Sequence, residues 1–444
     1  MMASFVEVLI GTTGLLSVLL RFVGPLSIAP VLILLGISLT QIAWPSCHVH
    51  WGAAFFTAAV VILFSQILKD FKIPVISFSR EKGLHTVRSR LLLKYSMFFG
   101  IMLGWFFCWI LTESGALSSV PSDRTYKART DIKNEVFNNT PWISLPYPGE
   151  VVWPKPSLAA FFGMLAAVIA SIVESIGDYN ACATMCCVPS PPQHAVNRGI
   201  AIEGLGGILS SLWCTGTGTA SISSNIVIIG ITRVASRRVV QMAGLMMILV
   251  GLFQIICSFL ATIPDPVLGG TLMVKSGMII SVGISLLKKV DLQSSRNLFV
   301  LGLSLFFGIV MPEYLQENPG VINTGSTTFD KCATILLETG IFVGFTVAVV
   351  FDNLIPGTAE ERGMIQQNIS PRCDVPSRDR KETEVASSCY DLPFGMGYIR
   401  RSTIARYIPI SPTFLGFAYR SGKGSAVQVD LSGEATSEEN ARTK

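Results

Sequence analysis

The chain has 444 residues, of which 50% are hydrophobic and only 14% are charged. An ordinary soluble domain carries about a quarter charged residues, so this composition excludes a soluble globular protein. The net charge of +5 is small, and the basic residues are concentrated in a few loops, so nucleic acid is not an expected partner. The ten cysteines form no CxxC pairs, and neither a disulfide framework nor a metal site is expected.

Apolar windows that could cross a bilayer recur from the first residues to about Leu354. A helical span needs about 20 apolar residues to cross roughly 30 Å of hydrocarbon, and this criterion predicts about eleven spans. They lie near 2–20, 23–44, 51–68, 91–112, 157–179, 199–213, 221–234, 239–263, 266–287, 297–315 and 332–354. The sequence therefore predicts an all-α polytopic membrane protein.

A run rich in Gly and Thr separates two unusually short predicted spans, 199–213 and 221–234. It begins at Cys214 and continues as Thr-Gly-Thr-Gly-Thr-Ala to Ser221. Its backbone groups would be unsatisfied in hydrocarbon, so it cannot face lipid. We predict a short strand or half-helix break near 214–225 that is buried in protein or lines a cavity.

Basic residues predict the orientation of the chain in the membrane. They cluster within 69–90, 233–238 and 288–296, and loops rich in Lys and Arg are normally cytoplasmic. Counting spans from these loops places residues 113–156 on the extracellular side. The sequon at Asn138 lies in that loop and predicts glycosylation there.

The polar residues after the last predicted span form a tail. Residues 355–444 contain a charged stretch and a closing run rich in Ser, Glu and Thr, which is typical of a partly disordered segment. The count of spans places this tail in the cytoplasm. Within it, residues 398–407 mix arginines with apolar side chains, so they either lie against anionic lipid or are loosely ordered.

Glu174 and Asp178 are the main functional candidates, because ionisable groups within spans are costly and normally face a cavity or a partner. Their i,i+4 spacing places both carboxylates on one helical face. Two like charges so close repel each other, so a cation, a proton or a donor-rich substrate must compensate. This pattern predicts an ion-coupled solute site. The alternative is that Asp178 only marks the water interface at a helix end.

Ser223, Ser224 and Asn225 follow the Gly/Thr-rich run and form a second candidate site. A broken helix exposes backbone amides and carbonyls, and its positive N-terminal end can meet an anionic or acceptor-bearing substrate. Thr232 lies two helical turns beyond Asn225 on the same face. The alternative is a re-entrant structural loop without a ligand.

Other charged residues within the predicted spans are weaker candidates that could pair internally, namely Glu7, Glu203, Lys275 and Glu338. Asp352 lies at a predicted helix end, where a capping role is expected. The sequence contains no nucleophile and base set, Walker loop or dinucleotide fingerprint. We therefore expect no cofactor, no enzyme activity and no ATP-driven transport.

Six motifs follow one another along the chain. They are Glu174-Ser-Ile-Gly-Asp-Tyr179, Pro191-Pro-Gln-His-Ala-Val-Asn-Arg-Gly199, Ser236-Arg-Arg-Val239, Pro264-Asp-Pro-Val-Leu-Gly269, Ser294-Ser-Arg-Asn-Leu-Phe-Val-Leu-Gly302 and Asp352-Asn-Leu-Ile-Pro-Gly-Thr-Ala-Glu-Glu-Arg-Gly363. In this order they resemble the animal sodium-dependent members of the nucleobase-ascorbate transporter family, solute carrier family 23. The resemblance covers nearly the whole chain. It implies a secondary active transporter of the plasma membrane that couples sodium to the uptake of ascorbate or a nucleobase.

The resemblance also implies an inverted-repeat fold with a core domain and a gate domain. The family has fourteen spans in two repeats of seven, and it works as a homodimer through an elevator-like movement of the core. About eleven of these spans match this chain. The implied divisions are 1–22 as a remnant of the core (span 4), 23–112 as the first half of the gate (spans 5–7), 113–156 as the extracellular loop, 157–263 as the second half of the core (spans 8–11), 264–354 as the second half of the gate (spans 12–14) and 355–444 as the cytoplasmic tail.

Four residues of this chain match functional positions of the family. The family's substrate-binding carboxylate corresponds to Glu174, and the acidic position one turn later corresponds to Asp178. The family's signature in its tenth span matches Asn225 and Thr232. The resemblance thus implies that Glu174 and Asn225 bind substrate, and that Asp178 and Thr232 lie near the coupling ion. The broken helix, independently of the resemblance, predicts substrate contacts for Ser223 and Ser224.

The chain also departs from the family's pattern. Val227 stands where the family has Gly, Ser224 where the ascorbate carriers have Pro, and Thr217 where they have Asn. A Val at a position of close approach is sterically unfavourable, which argues against ascorbate itself.

Met1 aligns with the start of the fourth span of the family. We therefore expect either a fragment of a full carrier, or a relative that no longer transports and instead regulates or assembles with such a carrier. A channel is a further alternative, because the Gly/Thr-rich break would allow it.

Overall fold

A computed structural model describes most of the chain up to residue 414. The described residues are 1–16, 22–79, 83–133, 137, 139–149, 156–186, 188, 191–222, 225–226, 229, 234–325, 327–358, 361–362, 388–392, 396–402 and 404–414. They are mostly helical, which confirms the predicted all-α class.

The helices follow the apolar segments of the sequence. In chain order they are α1 (Met2–Thr13), α2 (Pro25–Ser38), α3 (Thr40–Val49), α4 (Trp51–Ile62), α5 (Leu91–Lys94), α6 (Ser96–Glu113), α7 (Leu158–Met185), α8 (Gln193–Leu212), α9 (Arg237–Leu252), α10 (Gln254–Ala261), α11 (Asp265–Leu286), α12 (Ser295–Glu317), α13 (Thr327–Glu338), α14 (Gly340–Leu354) and α15 (Met396–Arg401). A π-helical turn, Leu63–Ile67, continues α4. Short 3-10 turns occupy Arg124–Ala128, Leu287–Lys289, Ser388–Tyr390 and Ile404–Tyr407.

One antiparallel hairpin lies within the basic loop that precedes α5. Strand β1 (Ile73–Ser79) pairs with β2 (Gly83–Ser89), and Ile73 is opposite Ser89. The basic residues of this loop do not predict strands, whereas its β-branched residues favour them. The strand expected near 214–225 is wrong for the described residues 214–222, where no strand forms. Cys214 and Gly216 have positive φ there, which turns the chain away from an extended path.

Five segments of the described chain are long and apolar enough to cross a membrane. They are Pro25–Val49, Ser96–Glu113, Ala160–Ala183, Asp265–Leu286 and Ser295–Glu317. Two bent pairs also pass this test, α9 with α10 at 86° and α13 with α14 at 82°, so the described residues hold up to seven candidate spans. The length and composition of these segments confirm the prediction of a polytopic helical membrane protein. The predicted number of spans, about eleven, is larger than the number found among the described residues.

Three local features account for much of this difference. Two apolar helices are shorter than a full span, namely α1 and the segment Trp51–Ile67, which consists of α4 and its π-helical turn. Helix α8 has 20 residues and is not the short segment 199–213 that was predicted, because it starts at Gln193 and includes the polar Asn197 and Arg198. The predicted span 221–234 lies largely outside the described residues.

The first packed group consists of α1, α7 and α8. Its apolar contacts come from all three helices, and the buried members are Ala3, Ile10, Leu16, Val168, Ile172, Ile176, Val196 and Ile200. Helix α1 lies directly against the backbone of α8. A Cβ atom at Gly11 would lie 2.5 Å from the Ala201 nitrogen, and one at Gly204 would lie 2.8 Å from the Val8 nitrogen. Glycine at both positions therefore permits this close approach.

A second packed group contains α2, α4, α6, α11, α12 and α14. Helix α2 is its central member, because Val31 and Leu32 are buried against Val282 of α11 and Phe345 of α14. The two groups also touch each other. Val173 of α7 belongs to the same apolar cluster as α2, so the middle of α7 lies at the contact between the groups.

Asp352 joins several segments at one end of the second group. Its carboxylate has no exposed surface, and it pairs with Arg296 at 2.9 Å and with Arg362 at 3.0 Å. The hydroxyl of Ser27 donates to the same carboxylate at 3.4 Å. The expected capping role of Asp352 is wrong, because α14 ends at Leu354 with Ile355 as its C-cap. A carboxylate is unfavourable at a helix C-terminus, and here the two guanidinium groups compensate for it.

The loop between α6 and α7 crosses the ends of several helices. The Ser144 nitrogen donates to the Leu252 carbonyl at the end of α9, and the Gly149 nitrogen donates to Leu212 at the end of α8. Lys133 pairs with Asp265 at 3.4 Å. The loop therefore connects α8, α9 and α11 at this end of the molecule. Asn138, the predicted glycosylation site, lies outside the described residues.

Gly11→Ala should lower thermal stability, because the added methyl group would meet backbone atoms of α8 that cannot rotate away. Overpacking of this kind typically costs about 1–3 kcal/mol. Gly302→Ala is the matched control, since nothing lies within 4 Å of its added Cβ and alanine favours a helix more than glycine does. The measurement is the unfolding midpoint of detergent-solubilised protein. Equal midpoints for the two variants would contradict the close packing of α1 on α8.

Asp352→Asn should destabilise the protein more strongly, because it leaves two mostly buried guanidinium groups without their carboxylate. Removing one partner of a buried ion pair costs about 3–5 kcal/mol. Asp265→Asn serves as the comparison, because its pair with Lys133 is 35% exposed on each side and such pairs contribute at most about 1 kcal/mol. The same unfolding assay distinguishes them. A smaller loss for Asp352→Asn than for Asp265→Asn would refute the central role of Asp352.

Candidate functional site

Glu174 and Asp178 lie in the second half of α7, on one face of the helix. Glu174 is half-buried, and Asp178 is only 4% exposed. Helix α7 continues to Met185, so Asp178 is two turns from its end. The alternative that Asp178 marks a helix end at the water interface is therefore wrong. Both carboxylates belong to the interior part of a long apolar helix.

Glu203 of α8 is held by two side chains of α7. The Ser175 hydroxyl donates to Glu203 Oε2 at 2.6 Å, and the Tyr179 hydroxyl donates to Glu203 Oε1 at 2.6 Å. Ser175 has no exposed surface. Ser175 and Tyr179 of α7 therefore orient both oxygens of the Glu203 carboxylate. Each of these two residues directly follows one member of the Glu174 and Asp178 pair.

The Gly/Thr-rich break is attached to the same two helices. The Ser221 hydroxyl donates to Ser175 Oγ at 2.9 Å, and the Thr219 hydroxyl donates to the Glu203 carbonyl at 3.0 Å. Gly206 permits this contact, because an added Cβ would lie 2.1 Å from Thr219 Oγ1. The end of the break thus rests on α7 and α8 beside the Glu203 carboxylate.

The described part of the break is not helical, which agrees with the predicted interruption. Residues 214–220 are exposed on the surface of the chain, so of the two expected settings, burial in protein or the lining of a cavity, this chain by itself does not provide the first. Irregular backbone cannot face hydrocarbon, because its polar groups would lack partners. This surface therefore requires water or another protein surface against it.

The structure places only one of the four substrate and ion candidates that follow the break. Asn225 is exposed at a helical position, and its backbone nitrogen donates to the Ile222 carbonyl at 3.0 Å. Ser223, Ser224 and Thr232 lie outside the described residues, as does Val227. Their predicted roles stay predictions.

Further charged residues converge on the Glu174 region. Its charged neighbours are Asp178, Glu203 and Lys275 of α11. Glu203 is in turn an electrostatic neighbour of Glu7, which is 4% exposed on α1. Among these neighbours the acids outnumber the bases, so the region attracts a cation or a proton.

Sequence reasoning missed part of this arrangement. Glu203, Glu7 and Lys275 were ranked as weak candidates, and Ser175 and Tyr179 were not considered. Ser175 and Tyr179 share the i,i+4 spacing of Glu174 and Asp178, which is a signal for a second polar face on α7. The partner of that face could not be inferred, because Glu203 lies on another helix.

Comparison with known proteins identifies the relatives of this chain. The sequence profile of the Permease family, Xan_ur_permease, matches residues 1–317. Solute carrier family 23 member 1 of Mus musculus is 43% identical over 423 residues, which is 95% of this chain and 69% of the relative. Solute carrier family 23 member 2 of Homo sapiens is 42% identical over 419 residues, covering 94% of this chain and 63% of the relative.

A plant relative is more distant. Nucleobase-ascorbate transporter 2 of Arabidopsis thaliana is 30% identical over 374 residues, covering 82% of this chain and 68% of the relative. The chain thus spans about two thirds of the length of these relatives. The family profile covers more than half of the chain and the identity to the mammalian proteins is high, which confirms the resemblance seen in the motifs. The chain is a transporter-family protein and not an enzyme: it belongs to the Permease family, with the solute carrier family 23 proteins among its relatives.

Proposed function

We propose that this chain is a secondary active carrier that couples sodium to the uptake of a small polar solute. The observation that carries the proposal is the group of acidic side chains around Glu174, which lies inside a long apolar helix and next to a break in another helix. Buried carboxylates in a membrane protein are costly unless a cation or a substrate compensates for them. A sodium ion and a donor-bearing solute would supply that compensation.

The solute is ascorbate or a nucleobase. One relative is named a nucleobase-ascorbate transporter. Ascorbate and nucleobases both carry hydrogen-bond donors, and a carboxylate such as that of Glu174 can accept hydrogen bonds from them. We assign Glu174, Ser223, Ser224 and Asn225 to substrate, and Asp178 and Thr232 to the coupling ion. Ser224 and Val227 depart from the pattern of the ascorbate carriers, which argues against ascorbate itself.

We assign the two packed groups to a core domain and a gate domain. Helices α1, α7 and α8 belong to the core, and α2, α4, α6, α11, α12 and α14 belong to the gate. The contact between Val173 and the cluster of α2 lies on the surface along which the core would slide. Inverted-repeat carriers operate by such movements of one bundle against another.

Several finer assignments belong to this proposal. The protein lies in the plasma membrane as a homodimer, Asn138 is glycosylated, and the tail from 355 is cytoplasmic. Tyr398 and Tyr407 are 82% and 78% exposed, which supports contact of residues 398–407 with membrane lipid, since tyrosine favours the interface.

The alternative is that the chain does not transport but assembles with a full-length carrier. Two observations favour it. Residues 214–220 are exposed although they are irregular backbone, and none of the residues of α9 is buried. A partner protein could cover both surfaces.

Uptake of labelled ascorbate, uracil, hypoxanthine and urate, with and without sodium, tests the proposal in cells that express this chain. Glu174→Gln should reduce sodium-dependent uptake at least about tenfold, because hydrogen bonds to charged groups contribute about 1.5–3 kcal/mol. Glu313→Gln is the control, since Glu313 is exposed in α12. Unchanged uptake by Glu174→Gln would contradict the site. Normal surface expression without uptake of any solute would favour the non-transporting alternative.

Ser221→Ala should lower uptake without abolishing it, because it removes the hydrogen bond that attaches the break to Ser175. A neutral hydrogen bond contributes about 1 kcal/mol, which corresponds to about a fivefold change. Ser221→Thr keeps a hydroxyl at the same position and serves as the control. If both substitutions have equal effects, the attachment to α7 is not what positions the break.

A further inference from the structure

Part of the tail packs against the ends of α8 and α9, the helices that precede and follow the Gly/Thr-rich break. We use the name distal tail for the described residues 388–392, 396–402 and 404–411. Two consecutive carbonyl groups of this segment are acceptors. Arg198 of α8 donates to the Tyr390 carbonyl at 2.5 Å, and Arg237 of α9 donates to the Cys389 carbonyl. One turn of the distal tail therefore bridges the N-terminal ends of α8 and α9.

A second contact holds the distal tail some distance along its length. The Asn197 amide donates to the Pro409 carbonyl at 3.2 Å, and Asn197 itself is 1% exposed. Ala405 and Ser411 of the distal tail are buried as well. The docked segment therefore excludes solvent from the start of α8, and its attachment does not depend on a single hydrogen bond.

The environment of the docked turn is consistent with a closed contact. Burial raises the pKa of the Tyr390 phenol to about 12. Asp391 adds an opposite charge, because it is an electrostatic neighbour of both Arg198 and His194. The two guanidinium groups donate charge-assisted bonds to main-chain carbonyls, and such bonds are stronger than a neutral one such as that of the Asn197 amide.

Helix α9 is the element that depends most on this contact. None of its residues is buried, in contrast to α8, where glycines permit close packing with α1. Its ends carry the contacts described above. The Leu252 carbonyl accepts from Ser144 of the preceding loop, and Arg237 donates to the distal tail. A helix with so little buried surface is held mainly by such end contacts.

We propose that the distal tail is a clamp that holds the start of α9 beside α8. Arg237 is the first residue of α9, and Arg198 lies in the second turn of α8. One turn of the distal tail binds both side chains, so it ties the two helix starts together. The clamp is independent of transport.

Hydrogen–deuterium exchange of the full-length protein in nanodiscs tests the clamp directly. The double variant Arg198→Gln and Arg237→Gln should exchange faster at amides of the distal tail and of the first two turns of α9, by at least about tenfold. Exchange within α12 should stay unchanged, because α12 belongs to the second group whereas the two arginines lie on α8 and α9. Arg238→Gln is the matched control, since Arg238 is exposed and makes no hydrogen bond to the described residues of the tail.

Three outcomes would overturn the proposal. The first is unchanged exchange in the double variant, and the second is faster exchange in the distal tail with no change in α9. The third is an equal effect of Arg238→Gln, which would show that charge alone is responsible. If the double variant is not recovered folded, Arg198→Lys keeps the charge with fewer donors and should show a smaller change in the same peptides. Failure of uptake would not produce any of these results, so the two proposals are tested separately.

Discussion

The carboxylate of Glu203 accepts hydrogen bonds from Ser175 and Tyr179, and this pair of contacts determines how α7, α8 and the break meet. Ser175 also accepts from Ser221, so the same buried hydroxyl connects the carboxylate to the end of the break. Hydrogen bonds in such a network strengthen one another where the surroundings are of low dielectric.

The same region has more acidic than basic side chains, and these charged side chains come from both packed groups. Glu7, Glu174, Asp178 and Glu203 belong to the first group, whereas Lys275, the positive neighbour of Glu174, belongs to α11 of the second. A movement of one group relative to the other would change the distance between Lys275 and these carboxylates. The need for a cation near Glu174 would then depend on the position of the first group, which is a simple physical basis for coupling an ion to a movement.

Helices α1 and α9 both lie beside α8, but they are held there in two different ways. Helix α1 packs through Gly11 and Gly204 directly on the backbone of α8, and this contact leaves no room for adjustment. Helix α9 has no buried residue and is bent by 86° relative to α10. Its position depends on contacts at its ends, so it is the more adjustable of the two. The segment that contains Asn225 leads directly into this adjustable helix.

The sequence by itself determined the class of the protein, the position of most helices and the two acidic residues of α7, because hydropathy and helical periodicity are local properties. The motifs also determined the family. The tertiary structure alone decided that Glu203 is the shared acceptor of Ser175 and Tyr179, and that Asp352 binds two arginines and does not cap a helix. It also decided that the tail meets Arg198 and Arg237. Each of these contacts joins residues on different elements, and no local pattern specifies which side chain another segment will bring beside it.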